Sequence, residues 1–389
     1  MLPTLAPETR SWLDDVHKKL CRKMPYAVEK ARQVPWIPYS TRDGGWAPNA
    51  IDWWTNGFWP AAMWQMALAT GDARYREEAV RTEIMLDDAL AHFDILNHDA
   101  GFMWLISSGV RHALEDSAES YGRAMRAAQH LACRFNPNGF IRAWNGAHNA
   151  GWAIIDCMMN LPLLYWASRQ TGDPRFRLMA ERHADTAMRT FVRPDGSCHH
   201  IVAFDPVTGD VTDTPCGQGF APGSSWSRGQ AWGLYGFTLS WLQTGRREYL
   251  DTARRIAACF VSQLTEDGIP RCDLRQPAEP DLKDCAAGAI AAAGLIVLSR
   301  ETEEREAAMF LEASLRMLRA MERTCVNWAL DDPALLTRCT TAYHDPGGHH
   351  IAMVYADYFF IEAIEALRGQ EMLFWAPDLR SAGKDGERP

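Results

Sequence analysis

The stretch Leu164-Tyr-Trp-Ala-Ser-Arg-Gln-Thr-Gly172-Asp-Pro-Arg-Phe176 decides the fold. An apolar run leads into it from Gly151. A Gly/Pro stop ends that run, and a charged, amphipathic stretch follows over 177–192. The pattern returns three times. Trp64-Gln-Met-Ala-Leu-Ala-Thr-Gly71-Asp-Ala-Arg-Tyr75 precedes a helical run over 76–93. Phe237-Thr-Leu-Ser-Trp-Leu-Gln-Thr-Gly245-Arg-Arg-Glu-Tyr249 precedes 250–264. Leu295-Ile-Val-Leu-Ser-Arg-Glu-Thr-Glu303 precedes 304–323 as a worn copy. In each unit the first helix is apolar nearly all round and the second has one charged face. The amphipathicity rule therefore puts the first inside and the second outside.

Two further units complete the set. Residues 101–114 lead into a helix over 117–135, and the last inner helix, 351–367, finds its outer partner in the N-terminal helix over 8–25. Six inner and six outer helices close a ring, and repeats without terminal caps suit a toroid better than an open solenoid. The expected fold is all-α, an (α/α)6 barrel of six hairpins. Residues 1–375 form one catalytic domain, and 376–389 are expected to be a mobile tail.

Composition narrows the function. The 389 residues carry a net charge of −9, which excludes a nucleic-acid surface, and no apolar run reaches membrane-spanning length. Sixteen Trp exceed ordinary core needs and suit sugar faces. Ten Cys stand singly without a C-x-x-C pair, so no zinc site is expected, and free thiols suit the cytoplasm. The histidine pairs His199-His200 and His349-His350 make poor metal sites, because adjacent side chains point apart. No metal or cofactor is expected.

Long segments rich in Gly, Pro, Asp and His lead into the inner helices, and alternating hairpins gather them at one end of the ring. That end carries Trp54 and Asn56, His98 and Asp99, Asp156, Arg228 and Trp232, with His200 and Gln218 from the loop over 193–226. Asp156 lies in the apolar run 151–165 and is expected in the first turn of a buried helix. A carboxylate there must be paired, neutralised or used. Taken alone, Asp156 reads as a helix-start acid and Asp99 as a turn acid; together they are candidates for proton transfer. Converging helix N-termini and Arg228 favour a small anion, and with the aromatics they suggest an acidic sugar.

These residues resemble a known family, the unsaturated glucuronyl hydrolases of glycoside hydrolase family 88. The matching stretches are His98-Asp99-x-Gly101-Phe102, Ile154-Ile155-Asp156-Cys-Met-Met-Asn160, Asp195-Gly-Ser197-x-His-His200, Gln218-Gly219 and Ser225-Trp-Ser-Arg228-Gly-Gln-Ala-Trp232. With Asp357-Tyr358-Phe-Phe-x-Glu362 they run in order over about residues 50–365. The resemblance implies the same six-hairpin barrel. It implies release of 4,5-unsaturated glucuronic acid from the non-reducing end of lyase-generated oligosaccharides. An aspartic acid protonates C4 of the vinyl ether, water adds at C5, and the hemiketal opens and breaks the glycosidic bond. Asp156 then corresponds to the general acid/base and Asp99 to its partner. His98, His200, Gln218, Arg228 and Trp232 correspond to substrate binders with Asn56, and Trp54 and Trp144 to stacking residues. The expected partner is a small unsaturated oligosaccharide, and the protein is expected to be a monomer or weak homo-oligomer. Members acting on sulfated fragments carry Ser and Lys before the last inner helix; here Tyr343-His-Asp-Pro-Gly-Gly-His-His350 has neither, which argues against a 6-sulfate preference. Three other readings stand beside this one: an unsaturated rhamnogalacturonyl (galacturonyl) hydrolase, a non-catalytic sugar-binding helical-repeat protein, and a sugar epimerase on a similar toroid.

Overall fold

The computed structural model describes residues 5–370 and 372–379. Its helices, in chain order, are α1 (Pro7–Ala31), α2 (Phe58–Thr70), α3 (Ala73–Ala91), a π-helix (Gly101–Gly109) running into α4 (Val110–Glu115), and α5 (Ala118–Cys133). They continue with α6 (Leu161–Thr171), α7 (Pro174–Thr190), α8 (Ser227–Thr244), α9 (Arg247–Ser262), α10 (Cys285–Ser299), α11 (Glu304–Thr324) and α12 (Val354–Arg368). The even-numbered helices and the π-helix form the inner ring. α8 packs on α10, α10 on α12 and α12 on α2, while α1 covers α12 from outside. The molecule is the expected α/α barrel.

Sequence explains the division. Every residue of α10 is buried, as a helix without a charged residue, built mainly of Ala, Ile, Leu and Val with Gly288 and Gly294 between them, requires. In α9 only Tyr249, Leu250, Thr252, Ala253, Ile256, Ala257 and Phe260 are buried, one stripe at helical spacing. The recurring Thr-Gly is a helix stop: Gly71, Gly172 and Gly245 have φ of 71°, 69° and 66°, a left-handed region glycine enters without strain. Asp72 and Asp173 then cap the next helix by accepting the N–H of Arg74 and Arg175, each at 2.9 Å.

Two expectations are corrected. Residues 151–165 are not one helix. Trp152–Ile154 is a strand pairing antiparallel with Ile201–Phe204, which pairs in turn with Val211–Asp213. A 3-10 turn, Ile155–Met159, follows, and α6 starts only at Leu161, with Pro162 in its first turn. The β-branched pair Ile154-Ile155 favours extended backbone, and the partner strand satisfies it. Asp156 therefore sits in a tight turn before the helix. The packed chain also continues past residue 375. Ala376 is buried and Asp378 pairs with Arg169 at 2.5 Å. The remainder of the expected tail, 380–389, lies outside the described residues. Among the described residues no helix is long and apolar enough to cross a membrane.

Candidate active site

The site forms where the inner helices begin. Asp99 precedes the π-helix and Asp156 sits in the turn ahead of α6. Both carboxyls are largely buried, at 7% exposure each. Burial pushes Asp156 up to about 7, the neighbouring negative charge of Asp99 adds to the rise, and Arg228 and the Trp232 indole N–H oppose it. Burial likewise raises Asp99 to about 7, against Arg134, Asn97 and Asn160. Two such groups side by side titrate as a pair and hold a proton near neutral pH.

Each carboxyl faces a buried histidine. His98 Nε2 lies 3.4 Å from Asp99 Oδ1, and His200 Nε2 lies 3.7 Å from Asp156 Oδ2. Burial, helped by Arg134 near His98 and Arg228 near His200, lowers both imidazoles to about 3, so they are neutral. The ring of Trp226 stands 4.5 Å from that of His200 and lies under the Arg228 guanidinium at 4.6 Å.

Several residues singled out in the sequence converge here, some in other roles. Trp54 is half-buried against Phe102 and Tyr355, at 5.4 and 5.0 Å between rings. Trp144 is half-buried against Trp152, beside the strand that leads to Asp156. Trp232 is fully buried against Phe102, so its ring is core and only its indole N–H acts on Asp156. Gln218 donates its backbone N–H to His200 Nδ1 at 3.0 Å and its side-chain amide to the Thr341 carbonyl.

Asn56 does not fit a substrate-binding role. It is fully buried, its amide donates to the carbonyls of Ala50 and Ile51 at 2.9 Å, and its oxygen accepts from Asn49 at 2.7 Å. These bonds satisfy it inside the turn before α2. Arg228 is also more constrained than a free anion clamp. It is buried, pairs with Asp284 at 3.2 Å, and donates to the carbonyls of Thr340 and Thr341 at 3.1 and 2.6 Å.

Sequence reading missed Asn160 and Asp284 as site supports. Asn160 Oδ1 accepts the Phe102 N–H at 2.8 Å, and its amide donates to the Asp156 carbonyl at 3.4 Å, tying the two carboxyl-bearing turns together. Its spacing of four residues from Asp156 was the available signal. Asp284 caps α10 through the Ala286 N–H at 3.1 Å while holding Arg228. Among the described residues no group of three His, Cys, Asp or Glu is arranged to hold a metal ion.

No protein-family model matches the chain. An unsaturated glucuronyl hydrolase from Bacillus sp. (strain GL1) is 36% identical over 332 residues, 83% of this chain and 88% of that one. An unsaturated chondroitin disaccharide hydrolase from Streptococcus pyogenes serotype M1 is 30% identical over 333 residues, 84% of each chain. The solved structure of an unsaturated glucuronyl hydrolase variant with dGlcA-Glc-Rha-Glc superposes with a TM-score of 0.87 at 32% identity, over 93% of this chain and 100% of the other. With this barrel, this carboxyl pair and relatives alike over most of their length, the chain belongs to the unsaturated glucuronyl hydrolases and is a glycosidase.

Proposed function

We propose that Asp156 and Asp99 carry out hydration of the C4=C5 double bond of an unsaturated glucuronate at the non-reducing end of a lyase-generated oligosaccharide. The observation that carries this reading is the buried carboxyl pair, both members held near 7. Asp156 protonates C4 and then accepts a proton from the water that adds at C5. The resulting hemiketal opens, and the glycosidic bond breaks without a glycosyl-enzyme. Asp99 orients the sugar hydroxyls and tunes Asp156. Trp54 and Trp144 offer ring faces to the sugar. The remaining Arg228 N–H groups attract the uronate carboxylate.

The leaving sugar is best served unsulfated. The segment before α12 has no Ser or Lys, and Asp345, which accepts the Thr341 hydroxyl at 3.0 Å, adds negative charge there. All ten cysteines are free, which supports a reducing, cytoplasmic setting.

The test is to mix the protein with unsaturated disaccharides, unsulfated and 6-sulfated, and follow the ultraviolet absorbance of the conjugated bond. Loss of absorbance with the native protein, fastest on the unsulfated substrate, and none with Asp156→Asn is the expected result. No loss on any glucuronate substrate would overturn the reading and turn attention to the galacturonate epimer.

A further inference from the structure

The two histidines that face the carboxyl pair are held in opposite senses. His98 Nδ1 lies 3.0 Å from the Ala143 carbonyl. A carbonyl can only accept, so Nδ1 carries the proton. In a neutral ring Nε2 is then a bare lone pair, and it is this buried nitrogen, without a hydrogen-bond partner, that faces Asp99 Oδ1 at 3.4 Å. Lone pair against carboxylate is repulsive, so the Asp99 oxygen is stabilised there with a proton on it.

His200 is the mirror case. Its Nδ1 accepts the Gln218 N–H at 3.0 Å, which favours the ring proton on Nε2 against the pull of the Cys216 carbonyl, and Nε2, itself without a hydrogen-bond partner, faces Asp156 Oδ2 at 3.7 Å. At 3.7 Å this is longer than a hydrogen bond, but the positive end of an N–H dipole so close to a buried carboxyl oxygen still favours the ionised form. The loop is built for this contact: Gly217 has φ 58°, and a Cβ there would stand 2.0 Å from His200 Nδ1. Any side chain at 217 would push the imidazole off the Gln218 N–H.

We propose that His98 and His200 are positioning residues that sort the single proton of the pair in the free enzyme, onto Asp99 and off Asp156. The inference rests on the catalytic reading of the pair but concerns its state before substrate arrives. The other cationic and hydrogen-bonding groups facing the pair favour the ionised form of both members, so they leave the choice between them to the histidines. Asp99 faces Arg134, Asn97 and Asn160, and Asp156 faces Asp99, Arg228 and Trp232. Burial, with Arg134 near His98 and Arg228 near His200, keeps both rings neutral. Catalysis by Asp156 as the acid then begins with transfer of the proton from Asp99 to Asp156. A substrate oxygen that takes the His200 N–H favours that transfer.

The experiment is nuclear magnetic resonance of the protein labelled with 15N at histidine, with His98→Asn and His200→Asn identifying the two rings by their missing signals. The expected result is a protonated Nδ1 and bare Nε2 for His98, and the reverse for His200. The same tautomer in both, or a doubly protonated His98, would overturn the proposal. This holds even if no unsaturated glucuronate is turned over, so the failure of the catalytic reading stays separate.

The pH profile of kcat/KM supplies the second readout. In His98→Asn the amide keeps the donor to Ala143 but loses the acceptor for the Asp99 proton, so the alkaline limb moves down by about one pH unit. In His200→Asn the acceptor for Gln218 is kept and the donor to Asp156 is lost, so the acid limb moves up by about one pH unit. Both variants moving the same limb, or neither limb moving, would also overturn the proposal.

Discussion

At the scale of single residues, the site stores electrostatic strain where it needs reactivity. The carboxyl pair, with both members raised to about 7, holds a proton in the fold at pH values where the unfolded chain has already lost it. The folded state therefore binds more protons between about pH 4 and 7, and stability falls as pH rises through that window. Asp156→Asn removes the buried charge with little change of shape. Its turnover should fall by about a thousandfold or more, while its melting temperature exceeds that of the native protein by more at pH 8, where both carboxyls of the pair are charged, than at pH 4. A scan at the two pH values checks this; an equal difference at both would mean that the carboxyl does not titrate in the window. Asn56→Ala should destabilise the fold by about 1–3 kcal/mol, because buried backbone carbonyls lose their donor, with KM unchanged. A raised KM without loss of stability would return Asn56 to the binding site. For Arg228→Ala the charge of Asp284 is left buried and unpaired, so about 3–5 kcal/mol of stability should be lost. Denaturant titration measures that loss, and an unchanged midpoint would make Arg228 a binding group alone.

Between elements, the decisive link is the one Asn160 makes. The 3-10 turn that carries Asp156 and the π-helix that follows Asp99 come from different repeats, and the Asn160 side chain bonds to both. Asn160→Ala would leave the Phe102 N–H buried without an acceptor, and the two carboxyls would lose their common anchor. The expected result is a fall in kcat of about tenfold or more, since small misplacements of reacting groups are costly, together with a lower melting temperature. A variant that melts lower but keeps its kcat would show that the pair is held by other contacts. The strand Ile201–Phe204 plays a similar part. It supplies the backbone partner for Trp152–Ile154 and delivers His200 to the side of Asp156.

For the whole molecule, the chain fills its own barrel axis with its last described segment. Trp375 is fully buried, stacks on Phe359 at 5.8 Å and 5°, and touches the edges of Phe58, Phe102 and Tyr235. Trp375→Ala should cost about 3–5 kcal/mol, as large aromatic deletions in a close-packed core do. Loss of the denaturant midpoint checks it; an unchanged midpoint would mean that the axis is closed without this ring.

The apolar and amphipathic alternation, with Thr-Gly at each corner, was enough to count the hairpins and close the ring, because hydrophobic period and turn chemistry are local and survive in every repeat. The same ordering brought Asp99, Asp156, His98 and His200 to one end, since each stands just ahead of an inner helix or in a loop leading to one. Sequence alone did not place Asp156 in a turn rather than in a helix. Its backbone is set by pairing with a strand nearly fifty residues away, and no local propensity encodes that partner. Nor could it tell that Asn56 is satisfied within its own turn, that Asp284 holds Arg228, or which nitrogen of each histidine carries the proton. Hydrogen-bond partners and the raised carboxyl pKa values depend on burial and on atoms from distant repeats, so the tertiary structure alone decided them.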